Sequence, residues 1–199
     1  MGAMSMPLLP SWLRLAWTAV LCGVLVLHLV HAWAMPGQRR WWHAGHTVMA
    51  AGMVVMYLLP HLTRQVPGAA LFAVLTASSA GAAIVFRYRE GVLNPLWVAS
   101  AVDMLAMTYM LLPAAVRPAW LTGVFVTYLT VQVGMWALGL WDRTPAFHRS
   151  GGAEPAVLDV PPSNAAPTAV VGLRAHSTPT VRLSLAAMTA SMAYMLVAM

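Results

Sequence analysis

Four histidines bracket one short break in the chain. His28 and His31 close the first apolar run, while His43 and His46 open the second, each pair spaced i, i+3 on one helical face. The pairs are equidistant from the break, so a tight antiparallel hairpin sets His28 opposite His46 and His31 opposite His43. Imidazoles gathered in this way could ligate a metal ion. The same rings could instead hydrogen-bond headgroups, water or carbonyls at a membrane boundary. Axial ligation of a b-type haem by His28 and His46 is a third chemistry open to them.

Methionine supplies the second pattern. Beyond Met1, Met4 and Met6, nearly all Met falls in the second, fourth and sixth apolar runs, whereas the odd runs use Leu, Val and Ala. The second run carries Met49, Met53 and Met56, and the sixth carries Met188, Met192 and Met195. The fourth has Asp103 at the equivalent first position, then Met107 and Met110. The shared i, i+4, i+7 spacing makes one stripe on each helix. If the three stripes face a common axis they form three layers: Met49, Asp103 and Met188; Met53, Met107 and Met192; Met56, Met110 and Met195. A thioether is a soft, neutral ligand that suits Cu(I) and needs no deprotonation to bind it. It is also an adaptable core filler, so the same stripes are what packing faces would show.

Asp103 is the acid set deep inside an apolar run. An ionisable group there must be paired, neutral or facing a polar cavity. Hydrogen bonds to Ser100, Thr108 or another helix would satisfy it, and in a Met layer it could offset the charge of a bound cation. His61 beside Arg64 falls at the far edge of the second run, and His148 and His176 fall in a polar stretch. Cys22 lies within an apolar run, reads as a small buried side chain, and as the single Cys forms no intramolecular disulfide.

The elements that carry these residues follow from composition. With 60% hydrophobic and 8% charged residues, the 199-residue chain has too little polar surface for water. A spanning helix needs about 20 mainly apolar residues at 1.5 Å each. Six segments qualify: Ser11 to Ala34, Trp41 to Pro60, Gly68 to Phe86, Pro95 to Val116, Ala119 to Trp141 and Thr180 to Met199. The predicted fold is an all-α integral membrane protein: a six-helix transmembrane bundle of three antiparallel hairpins with a pseudo-threefold repeat. Residues 1–141 hold five spans and 180–199 the sixth, joined by a flexible 142–179 loop rich in Pro, Ser, Gly and Ala.

The eleven basic residues are all Arg. Arg39, Arg40, Arg87, Arg89, Arg143, Arg149, Arg174 and Arg182 fall on one side of the predicted bundle, and Arg14, Arg64 and Arg117 on the other. The positive-inside rule then puts both termini outside the inner (plasma) membrane and the long loop in the cytoplasm. Cleavage after Ala32-Trp33-Ala34, as in a signal peptide, would invert this asymmetry. Trp41, Trp42, Trp97, Trp120 and Trp141 near span ends read as an interfacial belt.

The segment from His46 through Met49 and Met53 to Met56, with Met188, Met192 and Met195, resembles an actinobacterial integral membrane family catalogued as domain of unknown function 5134. The likeness implies a six-helix His/Met-rich membrane protein and no activity. In that family the last helix opens with His ahead of its Met stripe; the matching position here is Leu185. The Met-x3-Met spacing of Met49 with Met53 and Met188 with Met192 is similar to the pore element of eukaryotic copper transporters, from which Asp103 with Met107 departs.

The chain lacks a Gly-rich phosphate loop, a zinc-protease His pair, a Cys cluster and a Ser, His and acid constellation, so the sequence predicts no enzyme. The expected partners are the lipid bilayer and a metal ion, with no nucleic acid. Three functions follow: copper binding or transport, structural or assembly subunit of a membrane complex or homo-oligomer, and haem-based electron carrier.

Overall fold

A computed structural model describes residues 10–59, 66–91, 93–143 and 178–198. Among these the chain is helical throughout. The helices are α1 (Ser11–Ala34), α2 (Gln38–Leu58), α3 (Val66–Glu90), α4 (Pro95–Leu111), α5 (Ala119–Ala137) and α6 (Pro179–Ala198). Single 3-10 turns follow α4 at Ala114–Val116 and α5 at Leu140–Arg143.

Local chemistry sets the ends. Gly37 takes a positive φ of 64°, closing the two-helix turn in few residues. The Asn94 side chain caps α4 by accepting from the Leu96 amide at 3.0 Å, with Pro95 in the first turn. Pro113 forces Leu112 into an extended conformation, with ψ 151°, so α4 stops at Leu111 and the expected continuation to Val116 becomes a separate turn. Gly139, at φ 65°, similarly ends α5 short of Trp141.

The helices associate as three antiparallel hairpins, α1 with α2, α3 with α4 and α5 with α6. In the first, Arg14 donates from Nε and Nη2 to the Tyr57 carbonyl at 3.2 and 2.8 Å, satisfying a carbonyl at the C-terminal end of α2. In the second, Phe86 stacks on Trp97 at one end while Leu111 approaches Gly68 at the other. In the third, the Arg182 guanidinium lies against Gly139 and pairs with Asp142 at 3.6 Å.

Contacts between hairpins show that α2, α4 and α6 run the same way. Trp97 Nε1 donates to Gln38 Oε1 at 3.3 Å, and the Met107 methyl reaches Gly52. His28 bonds to Ser184 while Trp17 stacks with Tyr194, which sets α6 antiparallel to α1 and so parallel to α2. The even helices form the interior. In α6 56% of the most apolar stretch is buried, against 17% in both α1 and α3, whose outer faces present Trp12, Leu15, Val30, Val74 and Ile84.

Such uniformly apolar outer faces suit lipid rather than water. Helices α1, α3 and α6 are long and apolar enough to cross a membrane. By the same measure α2, α4 and α5 fall short. Helix α2 opens with Gln38, Arg39 and Arg40, α4 has 17 residues, and α5 interleaves Thr122, Thr127, Thr130 and Gln132.

Two expectations are corrected. Cys22 is exposed, because α1 turns Leu21, Val24 and His28 inward and Cys22 sits off that face. Trp41 and Trp120 are exposed as an interfacial belt requires, but Trp42 and Trp97 are each only 6% exposed and belong to an inner aromatic cluster. The expected 142–179 loop lies outside the described residues from 144 to 177.

Gly52 provides a check on the packing of α2 and α3. A Cβ there would lie 2.6 Å from Cζ of the buried Phe72 ring. We expect Gly52→Val to lower stability by about 1–3 kcal/mol through overpacking, read as a reduced thermal midpoint in detergent.

Candidate functional site

The α1/α2 hairpin brings His28, His31, His43 and His46 together. Ring centroids are 5.1 Å apart for His28 and His43, 5.0 Å for His31 and His43, and 5.5 Å for His28 and His46. His28, His43 and His46 are buried, and His31 is half-buried. Trp42 wedges into the group with its ring 4.1 Å from His46 and 5.0 Å from His43.

The hydrogen bonds assign tautomers to the neutral rings. Ser184 Oγ donates to the Val181 carbonyl at 2.7 Å, so its single proton is used and it accepts from His28 Nε2 at 3.2 Å. His28 Nδ1 is then an acceptor, and the 2.9 Å contact with His43 Nδ1 makes His43 the donor. His31 and His46 each donate from Nδ1 to a carbonyl, of Leu27 and Trp42, both at 2.8 Å. His31, His43 and His46 are therefore left with Nε2 as a bare lone pair. A backbone bond from the opposite nitrogen is the usual way of orienting an imidazole for ligation or proton acceptance. Even so, among the described residues no set of three or more His, Cys, Asp or Glu side chains is arranged to hold a metal ion. The rings gather without forming such a set. His28 and His46 are nearly parallel, at 20°, and face each other.

The Met stripes point inward. Met49, Met53, Met56, Met107, Met110, Met188, Met192 and Met195 are all 7% exposed or less and belong to one continuous core. Met104, off the stripe register, is also buried at 1%. Helices α2 and α6 are tied within this core by Ser191 Oγ, which donates to the Tyr57 hydroxyl at 3.1 Å.

Asp103 is 6% exposed and faces the Tyr128 hydroxyl of α5, while its Oδ1 has no partner. The Tyr128 hydroxyl donates to the Ala99 carbonyl at 3.3 Å and accepts from Gln132 Nε2 at 2.7 Å, and Gln132 Oε1 accepts from Trp141 Nε1 at 3.0 Å. Of the proposed partners, Thr108 bonds back to the Met104 carbonyl, and Ser100 Oγ has no partner. His61, His148 and His176 lie outside the described residues.

Sequence reasoning missed Ser184, the Trp42 wedge and the relay from Tyr128 to Trp141. Ser184 sits far from His28 in the chain, and no spacing rule links them. The Tyr128 and Gln132 pair at i, i+4 was a legible signal on α5.

No family model matches the chain, and searches of curated proteins and of solved structures find no match.

The His28 bonds are testable by substitution. His28→Phe strands the His43 Nδ1–H in an apolar setting, which costs about 1–3 kcal/mol, whereas His31→Phe, at a half-buried position, should cost less than half as much. Thermal unfolding in detergent compares the two.

Proposed function

We propose that this chain is a multi-pass membrane protein that holds or conducts Cu(I) along the thioether-lined interior of α2, α4 and α6. The burial of eight stripe methionines in one core carries the reading. Leu would fill such a core as well. Repeated use of Met in three parallel helices adds a soft donor at each position. Asp103, with one carboxyl oxygen unpartnered, offers an oxygen ligand in the first layer that ionises only against a bound cation. The bare Nε2 atoms of His31 and His43 lie at the turn end of the α1/α2 hairpin and add imidazole donors next to the Met stripe.

In this reading all six helices span the bilayer, with α2, α4 and α5 stabilised by burial against neighbours, and both termini lie outside. A haem reading is weaker, because axial ligands stand edge-on across a macrocycle and the His28 and His46 rings are stacked face to face. The resemblance to the actinobacterial family of unknown function is compatible with the copper reading and adds no activity.

Two measurements test the proposal. Full-length protein loaded anaerobically with Cu(I) should retain the metal stoichiometrically. The Met53→Leu, Met107→Leu, Met192→Leu variant should lose at least tenfold in affinity while staying folded, since each Met to Leu swap conserves volume and costs under about 1.5 kcal/mol. Absence of bound copper, or affinity unchanged in the triple variant, would leave the stripes as packing faces of a scaffold or assembly subunit. For topology, single cysteines placed at Gly91 and at Arg117 in a Cys22→Ser background should react with an impermeant maleimide from opposite sides of sealed vesicles. Labelling of both from one side would sink the six-span arrangement.

A further inference from the structure

The outer side of the bundle holds an open cleft that copper binding leaves unused. It lies between α2 and α3, has a volume of about 460 Å³, and its walls include Trp41, Ala44 and Val48 of α2 and Leu75, Ser78 and Ala82 of α3. Trp41, Val48 and Ser78 are exposed, so the cleft faces outward along its length. From Trp41 to Val48 it covers about 10 Å of helix rise. Phe72, seated against Gly52, closes it at the inner end.

Walls and rim differ in chemistry. Ser78 spends its hydroxyl proton on the Val74 carbonyl at 2.8 Å, so the open walls offer mainly apolar contact. A leaflet of the hydrocarbon core is about 15 Å deep, so the cleft runs along roughly two-thirds of one leaflet, the path of a single acyl chain. Its outer end coincides with helix ends. Helix α2 begins at Gln38 and α3 ends at Glu90, and Trp97 joins them by donating to Gln38 Oε1 and stacking on Phe86. Arg40 stands one turn before Ala44 on α2, and Arg89 stands two turns beyond Ala82 on α3. Spacings of four and seven residues keep each Arg on the cleft side of its helix. Both are exposed, and α2 and α3 together carry Arg39, Arg40, Arg87 and Arg89 against one acid, Glu90. Exposed Trp41 and Tyr88 stand at the same end, as aromatic residues do at a membrane boundary.

We infer that this cleft seats one acyl chain of an anionic phospholipid, whose phosphate meets Arg40 and Arg89 at the rim. Charge complementarity selects the occupant. A guanidinium pairs with phosphate through two parallel hydrogen bonds, and the excess of Arg at this end attracts a lipid of net negative charge. A zwitterionic headgroup brings its own cation up against the same guanidiniums, and a neutral amphiphile gains nothing from them. The inference rests on the membrane-spanning reading and is independent of copper.

The test titrates full-length protein in maltoside micelles with dioleoylphosphatidylglycerol or dioleoylphosphatidylcholine and counts the lipids retained per chain by native mass spectrometry. Wild type should hold one phosphatidylglycerol at least tenfold more tightly than phosphatidylcholine, with each Arg contributing about fivefold. Arg40→Gln with Arg89→Gln should erase the preference. Arg143→Gln, an exposed site in the turn after α5 and away from the cleft, should keep it. Ser78→Phe, which projects a ring into the mouth from an exposed position, should weaken phosphatidylglycerol retention about tenfold by displacing roughly two methylenes. Equal affinity for the two lipids, a preference that survives the double Arg variant, or an equal loss in Arg143→Gln overturns the proposal, as does full retention by Ser78→Phe. If cysteines at Gly91 and Arg117 label from opposite sides while the lipids bind equally, this inference alone fails. Labelling from one side sinks the membrane reading beneath it, so the two failures are distinguishable.

Discussion

In a bundle whose outer faces are as apolar as its core, exclusion of water cannot decide which side of a helix turns inward. The deciding constraint is that polar side chains and close-fitting shapes have to find partners. Most of those groups sit on the even helices: His43 and His46 on α2, Ser100 and Asp103 on α4, and Ser184 and Ser191 on α6 are buried, with His28, Ser79 and Gln132 on the odd helices. Of these, Ser100 Oγ and Asp103 Oδ1 stay unpartnered. The Met stripes share their helix faces, so turning the polar groups inward turns the sulfurs inward too. Helices α1, α3 and α5 then complete the outside, each paired with its neighbour in sequence.

That logic explains how much could be read in advance. The inward face of α2 was visible because His43, His46, Met49, Met53 and Met56 share one side at helical spacing, and the same holds for α6. The antiparallel hairpin placing His28 near His46 and His31 near His43 followed from their equal distances to the Pro36-Gly37 turn. Tertiary partners were not legible. Ser184 lies on the last helix, and its link to His28 depends on how the third hairpin docks against the first. Trp42 and Trp97 read as membrane-boundary residues because a sequence cannot tell a span end that faces lipid from one that faces another helix. The end of α4 was misjudged because the apolar run continues past Pro113, while backbone sterics do not let the helix follow it.

The imidazole group shows how a buried polar cluster can be ordered without charge. Ser184 fixes the proton on one nitrogen of His28, which fixes the next on His43. Two carbonyl acceptors do the same for His31 and His46. His31, His43 and His46 are each held by a bond at Nδ1 and present Nε2, while His28 is held on both sides. The imidazoles and the thioethers are thus adjacent yet separate, because the rings belong to the hairpin turn and the thioethers to the helix interior beyond it.

The docking of α6 has a different character from that of the other helices. Arg182 occupies the space that a side chain on residue 139 would fill, and its guanidinium meets Asp142 at the end of α5. Farther along α6, Tyr57 and Tyr194 link it to α2 and α1. These contacts hold the last helix in place by surface fit rather than by tether. A backbone break introduced between residues 143 and 178 would therefore leave two fragments with complementary faces, able to assemble as separate polypeptides.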